Sequence, residues 1–484
     1  MTTGTHDSAP AATAAIVVAT GTAAATAAIP TTNTATATTS TSSNGTSDGP
    51  TPADVPSPVA LPRVPIPPRG VDYRGKVVLA PMVRSGELPM RLMALHYGAD
   101  LVWGPETVDR SLIGAKRRIN PRTNMIEYTR LPSHTHSPAA QYEGNQESVI
   151  YRLDPVREAG KLVFQLGTAD PNLAVEAARF VAPDVAGIDV NAGCPKPFSL
   201  SGGMGAALLR DPDRLVAILE ALTREIPPQF GIGVSVKIRL LETAEKTEAL
   251  VRRLVRTGIT GLTVHCRTTP MRPREPAIRG QLRMIADVCR EAGVACVVNG
   301  DVASRDHGMK LCTEFGTDGA MIATAAEKNP SCFRPADPES GTTPLAPWQE
   351  LADKYIRFAL EVENKIANTK FSLTQLIPGK AKEYKMVQAC KSYTEIVKVL
   401  GLEGELGEVA REQDRLQALG EFEILKAKKK NQQQQQQQES KKRKREDEEA
   451  EEGRRKDERA VEANGAPTEP TAPTPESAVA SISV

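Results

Sequence analysis

The 484-residue chain is short of the features that most quickly assign a protein to a class. Its seven cysteines are odd in number and scattered, with no C-x-x-C pair. That excludes a disulfide scaffold and a zinc ribbon, and predicts a reducing compartment and no metal. No run of 18 apolar residues occurs, so no helix is expected to span a membrane. Charge of one sign is missing too: 60 Lys plus Arg face 59 Asp plus Glu, so nucleic acid could bind only through a local basic patch. Neither G-x-G-x-x-G nor G-x-x-x-x-G-K-[ST] stands between a strand and a helix, which excludes a Rossmann or P-loop nucleotide site. Aromatics reach only 4% because the two ends of the chain contain almost none. The expectation is a soluble intracellular protein, monomeric, of two or three domains.

Composition divides what is present into four parts. Residues 1–69 are Ala, Thr, Ser and Pro, and read as a disordered tail ending in a stiff Pro-rich linker, LPRVPIPPRG. The apolar stretch 11–29 has no basic n-region and is diluted by Thr and Gly, unlike a signal peptide. Residues 70–337 carry the periodic apolar segments of a catalytic domain. Residues 338–426 form a helical domain, in which Leu351, Tyr355, Phe358, Ala359 and Val362 recur at helical spacing. Residues 427–484 hold glutamines 432–438, the cluster KKRKRE (441–446) and an acidic run, a composition that predicts disorder.

In 70–337, short β-branched runs alternate with amphipathic stretches. Eight such runs (77–81, 101–105, 162–167, 185–191, 234–240, 261–267, 294–300 and 318–324) predict an α/β fold, a TIM (β/α)8 barrel. Helices are expected at 171–181, 211–222 and 245–255, with Asp211 as an N-cap followed by Pro212. The one long connection, 106–160, is rich in Arg and Lys. Met82, Glu106, Gln165, Asp189, Asn191, Lys237, Arg239, His265, Arg267, Asn299 and Asp301 all fall at the C-terminal ends of predicted strands. In a barrel those ends converge on one face, where active sites are built.

Among them, Cys194 sits in Asn191-Ala-Gly-Cys-Pro, ahead of Gly202, Gly203 and Gly205. A thiol there suits a general acid, its reference pKa of about 8.5 keeping it protonated at neutral pH, or a nucleophile. Lys237 and His265 offer hydrogen-bond donors for the electron-rich edge of a flavin or a pyrimidine dione. The loops holding Asn299-Gly300-Asp301 and Ala323-Thr324 follow the seventh and eighth strands, where barrels commonly seat a phosphate.

These residues resemble the dihydrouridine synthases, flavoenzymes that reduce uridine in tRNA. The resemblance runs from about Val78 to Gly401 and rests on LAPMVRSGELPMR (79–91), GIDVNAGCPK (187–196), GGMGAALL (202–209), VKIRL, VHCR and VNGD. NTKFSLTQLI (368–377) resembles the eukaryotic branch that acts on D-loop position 20. The resemblance implies FMN reduced by NADPH, hydride passing to carbon 6 of the uracil, and Cys194 delivering a proton to carbon 5. It implies that Pro81, Met82 and Val83 pack the isoalloxazine, with Gln165, Lys237 and His265 donating to it. Asn299, Gly300, Asp301, Ala323 and Thr324 would hold the ribityl phosphate end, and Asn191, Arg239 and Lys370 the substrate. Thr324 stands where the family usually has Arg, Ser201 where Lys is frequent, and Cys266 where Gly is usual. For tRNA phosphates the candidates are Arg110, Lys116, Arg117, Arg118 and Arg122, and Lys365, Lys370, Lys380, Lys382, Lys385 and Lys391. KKRKRE reads as a nuclear localisation signal or an RNA contact, giving an expected location in the nucleus, the cytoplasm or both. Two other readings stay open: a flavin-dependent reductase of a free pyrimidine, and a tRNA-binding protein without catalysis.

Overall fold

The structure, a computed structural model, describes residues 63–131, 147–272, 274–341 and 344–421, with parts of 432–448. The readings of residues 1–62 and of the acidic and Pro/Thr/Ala end lie outside these. Twelve strands are described: β1 (Val77–Leu79), β2 (Leu101–Trp103), β3 (Thr107–Val108), β4 (Lys116–Ile119), β5 (Ile126–Arg130), β6 (Ser148–Leu153), β7 (Leu162–Gly167), β8 (Gly187–Ala192), β9 (Gly233–Leu240), β10 (Gly261–Thr268), β11 (Ala295–Asn299) and β12 (Gly319–Ile322). Eight of them, one in each predicted run, pair in parallel in the order β2-β1-β12-β11-β10-β9-β8-β7. A β2–β7 pairing closes the ring.

The two-residue period of a strand sorts each one into an outer and an inner set. Val77 and Leu79, Leu162 and Phe164, and Cys296 and Val298 belong to the large core beneath the helices. Val78, Trp103, Val163, Val297 and Met321 belong to a separate cluster inside the barrel. Two residues beyond Val163 and Val297 on the same face stand Gln165 and Asn299. The inward face therefore turns from apolar to polar toward the C-terminal ends of the strands, which is where a pocket opens.

The helices fall close to their predicted limits: Pro171–Val181, Pro212–Phe230 and Ala244–Leu254. The Asp211 side chain accepts from the Arg214 N–H, as an N-cap should. The second of these helices runs eight residues beyond its apolar pattern, ending at Gly231 in the left-handed conformation (φ 68°).

Three parts differ from the sequence reading. The long connection after β2 contains a three-stranded antiparallel sheet, β4-β5-β6. It anchors on the barrel through edge-to-face contacts of Tyr128 with Phe180 and Tyr151 with Phe164. All four residues of β4 (Lys-Arg-Arg-Ile) are exposed, so no apolar alternation marks that strand in the sequence. Residues 63–69, read as the end of a disordered tail, lie against the barrel. Val64 N–H donates to the Gly293 carbonyl, and Arg69 donates to the carbonyls of Phe230 and Pro183. A proline-stiffened segment has little conformational freedom to lose on docking, and Arg69 supplies donors to a helix end whose carbonyls lack partners. Finally, residues 438–445, inside the segment read as disordered, are helical and fully exposed. Gln, Lys, Arg and Glu are good helix formers, and that preference needs no buried face to act.

Beyond the barrel come the helices Trp348–Glu361, Ile366–Leu376, Lys382–Ala389, Tyr393–Val399 and Glu403–Gln417. Leu351, Tyr355, Ala359 and Val362 are buried, as their spacing predicts. This bundle meets the insert at Glu363, whose carboxylate accepts from Arg122 and Asn120 and whose carbonyl accepts from Arg152. It meets the barrel mouth where the Arg84 guanidinium lies 4.2 Å from the Phe371 ring centre.

Candidate active site

At the C-terminal end of the barrel lies a pocket of about 660 Å³, within the size range of small-molecule sites. It is lined by Pro81, Met82, Val83, Gln165, Asn191, Cys194, Lys237, Arg239, His265, Asn299, Gly300, Asp301, Ala323 and Thr324. Strand register explains the convergence. Gln165 pairs with Asp189, Asn191 with Lys237, and His265 with both Arg239 and Asn299. Residues far apart in sequence thus occupy adjacent positions around one rim.

The Cys194 loop is held from two sides. Asn191 Oδ1 accepts from the backbone N–H groups of Gly193 and Cys194, at 2.9 and 3.1 Å. Arg239 Nε donates to the Gly193 carbonyl at 2.9 Å, and its Nη1 to that of Thr268. Gly205, at φ 58°, passes so close that a Cβ there would stand 2.6 Å from the Cys194 carbonyl oxygen. Cys194 is half-buried, whereas the other six cysteines are buried. Cys266 is among the buried six, and burial pushes its thiol up to about 12, away from the thiolate that reacts.

Lys237 and His265 form the electrostatic centre. Burial, then Arg239, pulls the Lys237 ammonium down to about 8, against the opposing pull of Asp189. At neutral pH it remains mostly a cation. Burial and the neighbouring Lys237, Arg239 and Arg267 push His265 down to about 2, so its ring is neutral. Arg267 Nη1 lies 3.1 Å from His265 Nε2. A guanidinium only donates, which makes Nε2 the acceptor and leaves the proton on Nδ1. Gln165 gives one Nε2 hydrogen to buried Asp189 at 2.9 Å. Its carbonyl and second hydrogen remain for a ligand.

At the far side of the rim, Asn299 Nδ2 donates to the Met321 carbonyl, and Asp301 accepts from Arg267 and from the Ala277 N–H. These two side chains brace the loops of 299–301 and 323–324, which line the pocket. Glu327 and Lys328 also line it; Ser85 Oγ donates to Glu327 at 2.6 Å. Lys328 is a cation of the lining that motif reading missed, one turn along the short helix that Thr324 begins. Position alone could have found it, since it carries the same charge as the arginine expected four residues earlier.

One predicted residue falls elsewhere. Lys370 is outside the lining, and its Nζ donates to the Cys390 carbonyl at 2.6 Å within the helical bundle. The insert's basic residues are engaged too: Lys116 with Glu147, Arg117 with Asp184, Arg118 with Glu127 and Arg122 with Glu363. Lys380, Lys382, Lys385 and Lys391 are exposed.

Comparison with known proteins agrees with this geometry. The family model for dihydrouridine synthase matches residues 78–429. The tRNA-dihydrouridine(20) synthase (NAD(P)+) of Schizosaccharomyces pombe is 48% identical over 338 residues, covering 69% of this chain and 66% of that protein. Its namesake in Saccharomyces cerevisiae is 43% identical over 333 residues, 68% of this chain and 84% of the relative. A tRNA-dihydrouridine(20a/20b) synthase of S. pombe is 29% identical over 256 residues, 53% and 68%. With a match running through every barrel strand and into the helical bundle, the chain belongs to the dihydrouridine synthase family.

Proposed function

We propose that the protein is a tRNA-dihydrouridine synthase that uses FMN and NADPH to reduce a D-loop uridine at position 20. The observation that carries this reading is the meeting of Cys194, Lys237, His265 and Gln165 in one pocket. Two relatives above 40% identity bear the position-20 name.

The residues fit FMN. Lys237 supplies positive charge and the neutral His265 and Gln165 supply hydrogen-bonding groups, as an isoalloxazine edge demands. Pro81, Met82 and Val83 offer a largely apolar wall. The backbone of Asn299–Asp301 and Ala323–Thr324, with the Lys328 cation, would hold the phosphate. When bound, FMN supplies the hydride, received from NADPH and delivered to carbon 6 of the uracil. Cys194 gives its proton to carbon 5, held in place by the Asn191 turn and Arg239. Arg239 and the remaining N–H groups of Asn191 would seat the base.

A uridine within folded tRNA has to be extruded to reach such a pocket, so affinity must come from phosphates elsewhere. The exposed lysines 380, 382, 385 and 391 are the candidates. The insert's paired arginines serve assembly instead, and Lys370 acts by fixing its helix. A monomer suffices for this reading. Residents of the nucleus and of the cytoplasm both meet tRNA, and the basic cluster 441–446 fits either.

The test is the visible spectrum of the purified protein with NADPH added without oxygen, followed by mapping of dihydrouridine in tRNA. Flavin bands that bleach, and a product at position 20, are expected. A colourless protein that still binds tRNA after FMN is supplied would refute the enzymatic reading. Turnover of free uracil without tRNA would favour a pyrimidine reductase.

A further inference from the structure

Beside Cys194 lies a carboxylate that the chemistry above does not use. Glu106, in the turn after β2, lines the pocket with both its carboxylate oxygens shut off from solvent. Ser199 Oγ, on the short helix Pro197–Ser201, is buried beside it. The side chains of Asn191, Cys194 and Ser199 face the carboxylate, and Lys196 adds a positive charge. Two glycines shape this chamber. A Cβ at Gly167 would stand 2.6 Å from Glu106 Oε1, and one at Gly205 would stand 3.0 Å from Cys194 Cβ and 3.1 Å from Ser199 Cβ. Burial raises the Glu106 carboxyl to about 6, where it exchanges protons readily near neutral pH. A carboxyl shut off from solvent in a pocket, raised by burial and with a thiol turned toward it, marks a functional group.

We propose that Glu106 is a positioning residue for Cys194, opposing loss of the thiol proton before the reaction and restoring it afterwards. The inference rests on Cys194 as the proton donor. When the sulfur protonates carbon 5, an S–H bond breaks and a C–H bond forms. The new thiolate raises the proton affinity of the neighbouring carboxylate, which takes a proton from water entering the open pocket, passes it to the sulfur and returns to its charged form. Lys237 and Arg239 from β9 place positive charge near the Cys194 sulfur. Glu106 is the negative group that counters them.

The test is the rate of iodoacetamide alkylation of the FMN-loaded protein, without tRNA, as a function of pH. The fast phase reports Cys194, because the other six cysteines are buried. Glu106→Gln removes the charge at constant size and is expected to speed alkylation at neutral pH by about tenfold, the effect of one pKa unit. Glu106→Asp keeps the charge and is expected to stay slow. In tRNA assays, Glu106→Gln should slow repeated turnover more than the first. An unchanged alkylation profile in Glu106→Gln, or an Asp variant as reactive as the Gln one, overturns the proposal. Failure of the underlying reading shows separately, as dihydrouridine formation by Cys194→Ala.

Discussion

The pocket and the seam between insert and helical bundle are both crowded with charge, but they treat it differently. At the seam nearly every group has an answering partner. Glu127, fully buried, accepts from Arg152, Arg118 and Asn120, and Glu363 accepts from Arg122 and Asn120. Burial alone would push the Glu127 carboxyl up, yet Arg152, Asn120 and Arg118 hold it below its ordinary range. In the pocket the balance runs the other way. Lys237 is pulled down, His265 is stripped of its charge, and burial pushes the Glu106 carboxyl up. Charges satisfied by the chain hold parts together, whereas charges left wanting are available to a ligand.

The largest test of this contrast is at Cys194. Cys194→Ala should lower dihydrouridine formation by about 10²–10⁴-fold, the usual worth of a positioned acid, while leaving flavin content and tRNA affinity unchanged. Activity at the wild-type rate would remove the acid assignment.

Next comes Lys237. Its folded-state pKa of about 8 lies below the ordinary 10.5, so the ammonium is lost as pH rises through about 8. FMN affinity, read by flavin fluorescence, should fall on the order of tenfold from pH 7 to 9. Lys237→Arg should flatten that fall. The sign reverses for the stability of the flavin-free protein. The folded state binds fewer protons than the unfolded chain between about 8 and 10.5, so stability rises with pH there. A pH-independent affinity would mean that the ammonium is not the flavin's partner.

At the seam the effect should be on stability instead. Glu127→Ala strands Arg152, which is 11% exposed, and should cost about 3 kcal/mol, lowering Tm without changing the flavin spectrum. Arg122, 53% exposed, should cost only ~0.5 kcal/mol when replaced by Ala. Equal losses from the two would erase the distinction between buried and solvent-screened pairs.

The smallest effect concerns the start of the barrel. Removing residues 1–62 should leave flavin content and rate unchanged. Removing 1–69 also deletes the Arg69 contacts to Phe230 and Pro183 and should cost on the order of 1 kcal/mol, seen in denaturant midpoints.

These contrasts also explain what could be read from the sequence. Barrel strands bury both faces, so runs such as VSVKIRL announce themselves, and polar residues at their ends stand out against that background. Fourteen of the fifteen predicted site residues line the pocket, the polar ones legible as strand ends and others, such as Pro81, Met82 and Val83, only through the family resemblance; Lys370 does not. A lysine on a helix carries no mark of which way it faces, and Lys370 turns to a carbonyl of its own bundle. The sheet β4-β5-β6 escaped because Lys116–Ile119 is exposed and charged, its pairing decided by distant partners such as Asp184. Glu106 could be placed at the rim from its position after a strand. Its burial could not, since that depends on the room left by Gly167, about 60 residues away.

The closure of the barrel has a consequence for how the protein is made. Strand β12 inserts between β1 and β11, so the first strand stays without one neighbour until the last has been synthesised. From Leu79 to Gly319 the ribosome adds 240 residues (319 − 79), which at ~5–20 residues per second takes roughly 10–50 s. During that interval β1 is an open edge able to pair with another chain. Ala323 and Thr324 emerge only after β12, so the pocket at the barrel mouth is complete on no nascent chain shorter than this.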